Sequence, residues 1–305
     1  MSSDLPPLPQ NGASASASNL SAQWNQFRSN KTAFFAASGF VGAAIGDLLY
    51  EMIGNHDAKA FLEKVIAVSI WGAGIGGALA PALACAGAHY NRRQLSPKAT
   101  MKMAWAGFLG GAASGALIEA FYEAGFALGI SPGSGLAFIY QCLTWGLMGG
   151  MVGGILASTV PNLQQWRGVC SGGVGGSIGC AGFLALGSIL PEVLGRLFGV
   201  GVMGLAIGLS IVVAEKLARE ASLEVIWAPN EVTFSNLGEQ PVLIGGGPED
   251  HVFVRGFPAG YAGIAFSQGR VEYAETASGR RAPLNNGSRL EIGKLTLIVH
   301  TDVKG

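Results

Sequence analysis

Two textures divide the chain. From Ala33 to about Ala214 apolar residues run almost continuously, interrupted only by short polar segments. A helix crossing a bilayer needs about 20 apolar residues. Six stretches meet or approach that length: Ala33–Tyr50, Val65–Ala88, Met103–Ile118 (continuing through Phe126), Gly135–Val160, Gly168–Leu190 and Leu197–Ala214. Helices of a water-soluble bundle would each show a polar face, yet Gly168–Leu190 carries no charged residue at all. Beyond Ala221 short β-type runs take over: Leu223–Trp227, Val242–Ile244, Val252–Val254, Gly263–Phe266, Val271–Tyr273 and Leu295–Val299. Clusters of Gly, Pro, Asn and Ser separate them, the pattern of a small all-β domain. Met1 to about Asn30 is rich in Ser, Ala, Asn, Gln and Pro and reads as a disordered tail, because it can bury too little apolar surface to fold. The expected domains are therefore residues 1–30 (tail), 31–220 (membrane domain) and 221–305 (β-domain).

Composition sharpens this picture. Hydrophobic residues make up 50% of the chain and charged residues 12%, against about 25% charged in an ordinary soluble domain. Nineteen basic residues balance nineteen acidic ones, so no basic footprint points to nucleic acid. The four cysteines (Cys85, Cys142, Cys170, Cys180) all fall in apolar stretches, unlike the disulfide framework of a secreted domain. Four scattered histidines lack metal-ligand spacing, and Gly245-Gly246-Gly247 is not followed by the Gly-Lys-Ser/Thr of a phosphate loop. No metal site, no cofactor and no enzymatic activity are expected.

The membrane region repeats. Asp47-x-x-Tyr50-Glu51 returns 72 residues later as Glu119-x-x-Tyr122-Glu123, and Trp71-Gly72-x-x-x-Gly76 returns after 74 as Trp145-Gly146-x-x-x-Gly150. A third, looser unit carries Gly172, Gly175 and Gly179, then Gly204 and Gly208. The fold class expected is thus a polytopic α-helical bundle of six spans in three hairpin repeats, followed by an all-β sandwich. Every span also carries small residues four apart: Gly42/Gly46, Gly72/Gly76, Gly107/Gly111/Gly115, Gly146/Gly150/Gly154, Gly168/Gly172/Gly176 and Gly204/Gly208. In a bilayer such a glycine zipper lets backbones approach closely and gather van der Waals contact. The same stripes have a second reading, homo-oligomerisation through leftover glycine faces.

Charge sets the orientation. With six spans, the tail, the second and fourth loops and the β-domain share one side, which holds Arg28, Lys31, Arg92, Arg93, Lys98, Lys102, Arg167, Lys216 and Arg219. The other side has Lys59, Lys64 and Arg196. The positive-inside rule then places both termini in the cytoplasm. Asp47, Glu51, Glu119, Glu123 and Glu192 lie toward the opposite ends of the first, third and fifth spans. Carboxylates near membrane depth are often functional; gathered together they would attract cations, and dispersed they sit in headgroup water.

The C-terminal residues carry a resemblance. Leu223-Glu224-Val225, Pro241-Val242-Leu243-Ile244-Gly245, Ala262-Gly263-Ile264-Ala265-Phe266 and Leu284–Leu297 follow one another in the manner of a forkhead-associated (FHA) domain. The chain resembles bacterial proteins that join a glycine-rich membrane segment to such a domain, over about Leu223–Thr301. The resemblance implies a two-sheet β-sandwich whose apical loops bind phosphothreonine peptides. The ligand-reading residues do not carry over: Gly245-Gly246 stands where the family has Gly-Arg, and Pro258-Ala259-Gly260-Tyr261 where it has Ser-Arg-x-His. No clear counterpart of the family's Asn-Gly turn occurs around Ser278-Gly279-Arg280-Arg281, and Asn286-Gly287 reads as a later hairpin turn. Arg255, Arg280 and Arg281 are the candidate substitutes for the missing guanidinium.

The expectation that follows is an integral protein of a bacterial inner membrane, serving as anchor or scaffold for a degenerate FHA-like module. That module would meet an unidentified cytoplasmic protein. The alternative is a small cation channel or transporter, with the carboxylates as its outer vestibule and the β-domain as regulator.

Overall fold

The computed structural model describes residues 30–53, 59–93, 95–131, 133–158, 160, 162–217, 219–228, 231–248 and 250–301. The expected N-terminal tail lies outside them except for Asn30. Six long helices come first: α1 (Lys31–Ile53), α2 (Phe61–Tyr90), α3 (Pro97–Ala127), α4 (Gly135–Ala157), α5 (Gln165–Gly187) and α6 (Glu192–Leu217). Each is long and apolar enough to cross a membrane. Local chemistry sets several of the starts. Ser96 accepts from the Ala99 N–H ahead of Pro97 at the first turn of α3, and Ser134 accepts from Ala137 to open α4. At α2, which has no hydroxyl cap, the Glu63 carboxylate turns back to accept the Lys59 and Ala60 N–H groups.

The helices form a closed ring in sequence order, with α6 returning to pack on α1. The second helix of each expected hairpin lies innermost. Ile75, Leu79 and Leu83 of α2, Met148, Val152 and Leu156 of α4, and Met203, Ile207 and Ile211 of α6 are each at most 2% exposed. Their four-residue spacing stacks them on one face of each helix, so aliphatic side chains fill the axis. The outer faces are also apolar: Ile45, Ile70, Leu109, Leu143, Ile178 and Val213 are all exposed.

Glycines decide which helices touch most closely. A Cβ on Gly111 would collide with the Gly72 carbonyl, and one on Gly107 with that of Gly76, which joins α2 to α3. Gly149 and Gly153 meet Gly172 and Gly168 to join α4 to α5, while Gly39 and Gly208 meet Gly204 and Phe35 to join α6 to α1. These tightest seams cross the boundaries of the expected hairpins, so the repeated contact is shifted by one helix. In α4 the contact runs through Gly149 and Gly153 rather than Gly150 and Gly154. That helix offers two adjacent glycine stripes, and only its neighbour selects between them.

Nine strands follow: β1 (Ala221–Ala228), β2 (Glu231–Leu237), β3 (Val242–Gly245), β4 (Val252–Phe253), β5 (Ala262–Ser267), β6 (Arg270–Glu275), β7 (Arg281–Leu284), β8 (Arg289–Ile292) and β9 (Leu295–His300). They build two open sheets, ordered β2-β1-β9-β8 and β4-β3-β5-β6-β7. All pairings are antiparallel except β3 with β4. Leu223, Val225, Leu297 and Val299 of one sheet share a core with Val242, Ile244, Ile264 and Val271 of the other. Three strands have no counterpart among the β-type runs of the sequence. In β2 the core face alternates Thr233, Ser235 and Leu237, and the neighbouring Asn236 is also buried, so no hydrophobic alternation marks the strand. The edge strand β7 contains Pro283, which an edge tolerates. β8, at the edge of the other sheet, is only four residues long.

Candidate functional site

Three polar regions stand out: the helix ends far from the β-domain, the seam between bundle and β-domain, and the loop end of the five-stranded sheet.

At the far end the five acidic candidates do not form one open ring. Asp47 is fully buried, and its Oδ1 accepts the Trp71 indole N–H at 2.7 Å. Trp71 meets Trp145 edge-on with ring centroids 5.2 Å apart, and Trp145 packs on Phe183 at 4.9 Å. The two tryptophans that mark the sequence repeat therefore touch. Arg196 draws Glu51 (2.7 Å) and Glu192 (3.1 Å) together, while Lys64 pairs with Glu123 at 2.6 Å. Glu119, half-buried, stands one helical turn before Glu123. The ion pairs join α6 to α1 and α2 to α3, the helices that glycine already brings together. Lys64 and Arg196 were legible as partners, since they and Lys59 are the basic residues on an acid-rich side.

The seam is where sequence reading found least. Lys31 at the start of α1 pairs with Glu215 near the end of α6 at 2.6 Å, with side chains only 14% and 4% exposed. The Asn236 amide donates to the Glu215 carbonyl at 3.0 Å, and Arg219 Nε donates to Asn236 Oδ1 at 2.9 Å. Asn162, in the loop before α5, donates to the Asn236 and Gln240 carbonyls and accepts from the Gln240 N–H. Its φ of 58° lies in the left-handed region, which asparagine tolerates better than most residues. Arg92 pairs with Glu231 and stacks over the Trp227 ring at 5.1 Å. A small, partly open cavity of about 30 Å³, bordered by Leu83, Leu156, Ile211, Glu215, Ser235 and Asn236, remains where the bundle axis meets β2. The β-domain thus covers the end of the bundle through side-chain bonds that reach α6, the linker after it and two interhelical loops.

At the loop end, the Gly245–Gly247 loop and the Pro258–Tyr261 loop come together, as the FHA resemblance implies for a phosphate site. A carboxylate already lies between them. Asp250, 2% exposed, accepts the Gly247 N–H at 2.7 Å and the Gly260 N–H at 3.0 Å. The Gly247 and Gly260 N–H donors of the two loops are thus engaged from inside. Arg255 lies on the β4–β5 loop, Arg280 closes the β6–β7 loop and Arg281 opens β7; all three are exposed at this same end. Asn286-Gly287 sits beyond the far end of β7, where Ser288 N–H donates to Asn285 O. It is a turn.

Glu275 at the end of β6 and Tyr261 in the β4–β5 loop form a pH-sensitive pair. Hydrogen bonds from Ser278 and Tyr261 hold the Glu275 carboxyl below the usual carboxylate range. The bond to Glu275 in turn raises the Tyr261 phenol above its ordinary value. Glu275 has the lower folded value, so its contribution is present above its unfolded value and lost as pH falls through the folded one. Tyr261 has the higher folded value, so its contribution is present below about pH 10 and lost as pH rises through the folded value. A spectrophotometric phenol titration should show that Tyr261→Phe removes a component titrating above pH 10. Loss of a component centred at 10 would contradict the bond.

Compared with protein-family models, with curated proteins and with solved structures, the chain gives no match.

Proposed function

We propose that the chain is an integral protein of a bacterial inner membrane whose six-helix bundle anchors and scaffolds a cytoplasmic FHA-like β-domain. The β-domain would meet a cytoplasmic protein by surface contacts, without ordinary phosphothreonine binding and without catalysis. The observation that carries this reading is a filled axis covered by a docked domain. Nine apolar side chains occupy the space a conducting path would need, and the Asn162, Asn236 and Arg92–Glu231 bonds fix the β-domain over its end. Exposed apolar side chains around all six helices favour a lipid surrounding, since soluble proteins rarely expose such large contiguous patches. Arg92, Arg93, Lys98, Lys102 and Arg167 at the β-domain end favour the cytoplasmic side.

Asp250 supports the second half of the proposal, because its carboxylate holds the Gly247 and Gly260 donors and would repel a phosphate. The test is titration of the full chain in detergent with matched threonine and phosphothreonine peptides. Affinities equal within about twofold are expected, because loss of the guanidinium fork removes charge-assisted recognition. A tenfold preference for the phosphorylated peptide, reduced by Arg255→Gln or Arg280→Gln, would establish ordinary FHA binding instead.

A further inference from the structure

Between α1 and α3, on the outside of the ring, α2 forms the floor of an apolar groove of about 330 Å³. Gly74 and Gly77 lie on that floor, Tyr50 and Leu49 on one wall, and Met101, Trp105 and Phe108 on the other. A glycine floor makes the groove deep: at Gly77 a Cβ would meet nothing closer than 3.5 Å. Met101, Trp105 and Phe108 are spaced four and three apart, which sets them on one face of α3. Lys98 continues that face one turn toward the β-domain end, and Lys102 flanks it. Both lysines are exposed and make no ion pair with a described residue. The N-terminus of α3, beginning at Pro97, adds the positive end of its dipole at the same place.

From Met101 to Phe108 the groove rises about 10 Å at 1.5 Å per residue. Leu49 and Tyr50 extend it toward the roughly 15 Å depth of one hydrocarbon leaflet. We infer that this groove is a binding site for an anionic glycerophospholipid of the leaflet next to the β-domain. Its phosphate sits against Lys98 and Lys102, and one acyl chain lies along Met101, Trp105 and Phe108 over Gly77. Charge complementarity selects this occupant over a second copy of the chain. Next to the lining residue Met101 stand two cations without an ion pair among the described residues, whereas a second copy docking through this same face would bring its own two lysines against them. The inference rests on the membrane reading.

Trp105 supplies the probe, since it lines the groove and is 59% exposed. Delipidated full-length protein in detergent is titrated with acyl-brominated phosphatidylglycerol or phosphatidylcholine, and the quenching that Trp105→Phe abolishes is measured. Half-maximal quenching is expected at roughly tenfold lower concentration of the anionic lipid, as two lysines near a lipid surface imply. Lys98→Gln with Lys102→Gln should bring the two lipids within about twofold. Gly77→Leu, whose Cβ would meet its neighbours only at ordinary van der Waals distances of 3.5 Å and more, should fill the groove and abolish the saturable component while the helical circular dichroism is unchanged. Equal quenching by both lipids in the native protein would overturn the site and leave the membrane reading intact. No quenching by either lipid would contradict the membrane reading itself. Competition by inorganic phosphate at millimolar concentration would show an anion site without an acyl chain, and would overturn the assignment to lipid.

Discussion

Changing Gly107 and Gly111 together to alanine is expected to lower the thermal midpoint of the detergent-solubilised chain by about 5–15 °C. Added methyl groups at these positions would enter the backbone carbonyls of Gly76 and Gly72. Backbone cannot rotate aside as a side chain can, so α3 has to move off α2 and forfeit contact along the whole seam. Overpacking of this kind costs about 1–3 kcal/mol per site. The control is Gly135→Ala with Gly187→Ala, where nothing lies within 4 Å of the new Cβ. There alanine should leave the midpoint unchanged or raise it slightly, because it orders the helix at less entropic cost than glycine. Equal midpoints for the two double variants would mean that close backbone approach does not hold the bundle.

Removing one partner of the Lys31–Glu215 pair should have an effect of similar size. The pair is almost wholly withdrawn from solvent, and a buried charge left without its partner costs about 3–5 kcal/mol. Glu215→Met is therefore expected to destabilise the chain and to expose the β1–β2 side of the seam to protease. Lys31→Met with Glu215→Met should recover most of the loss, since paired apolar replacements of a buried ion pair are often close to neutral. Thermal unfolding of the wild type, both single variants and the double variant closes the cycle. Additive single effects would show that the two groups act independently.

The helical half of the fold is legible in the sequence because a bilayer span needs only length and apolarity. The six expected stretches fall inside or across the six observed helices, from Lys31–Ile53 to Glu192–Leu217. What the sequence leaves open is pairing. Gly149 and Gly150 look alike in one dimension, and the choice between them depends on where Gly168 and Gly172 arrive from α5. The β-domain is legible where alternation is hydrophobic, as in β1 and β9, and hidden where buried positions are polar. Asn236 shows why: it is 3% exposed and ties strand to helix, yet in the sequence it reads as turn material. The seam was hidden for the same reason, since Asn162, Asn236 and Glu215 come from three separate segments and match no local motif.

The acidic residues teach a related lesson. Their clustering at one end of the helices was readable from the repeat, but their effect depends on partners. Arg196 and Lys64 occupy Glu51, Glu192 and Glu123, and Trp71 occupies an oxygen of Asp47. What was a row of carboxylates in one dimension becomes, for Asp47, Glu51 and Glu123, a set of ties between helices in three. On the β-domain Gly246, where the resembled family has an arginine, was visible in the sequence, whereas Asp250 turning inward onto Gly247 and Gly260 was not.

The central claim is that the bundle anchors and does not conduct. Its most direct test is cation flux into liposomes holding the full-length protein, with insertion verified by protease protection. Flux indistinguishable from that of empty liposomes is expected, since Ile75, Val152, Ile207 and their neighbours leave the axis without a polar path. Flux well above that of empty liposomes, falling when Asp47→Asn and Glu119→Gln are introduced, would contradict the claim and make the carboxylates the mouth of a channel.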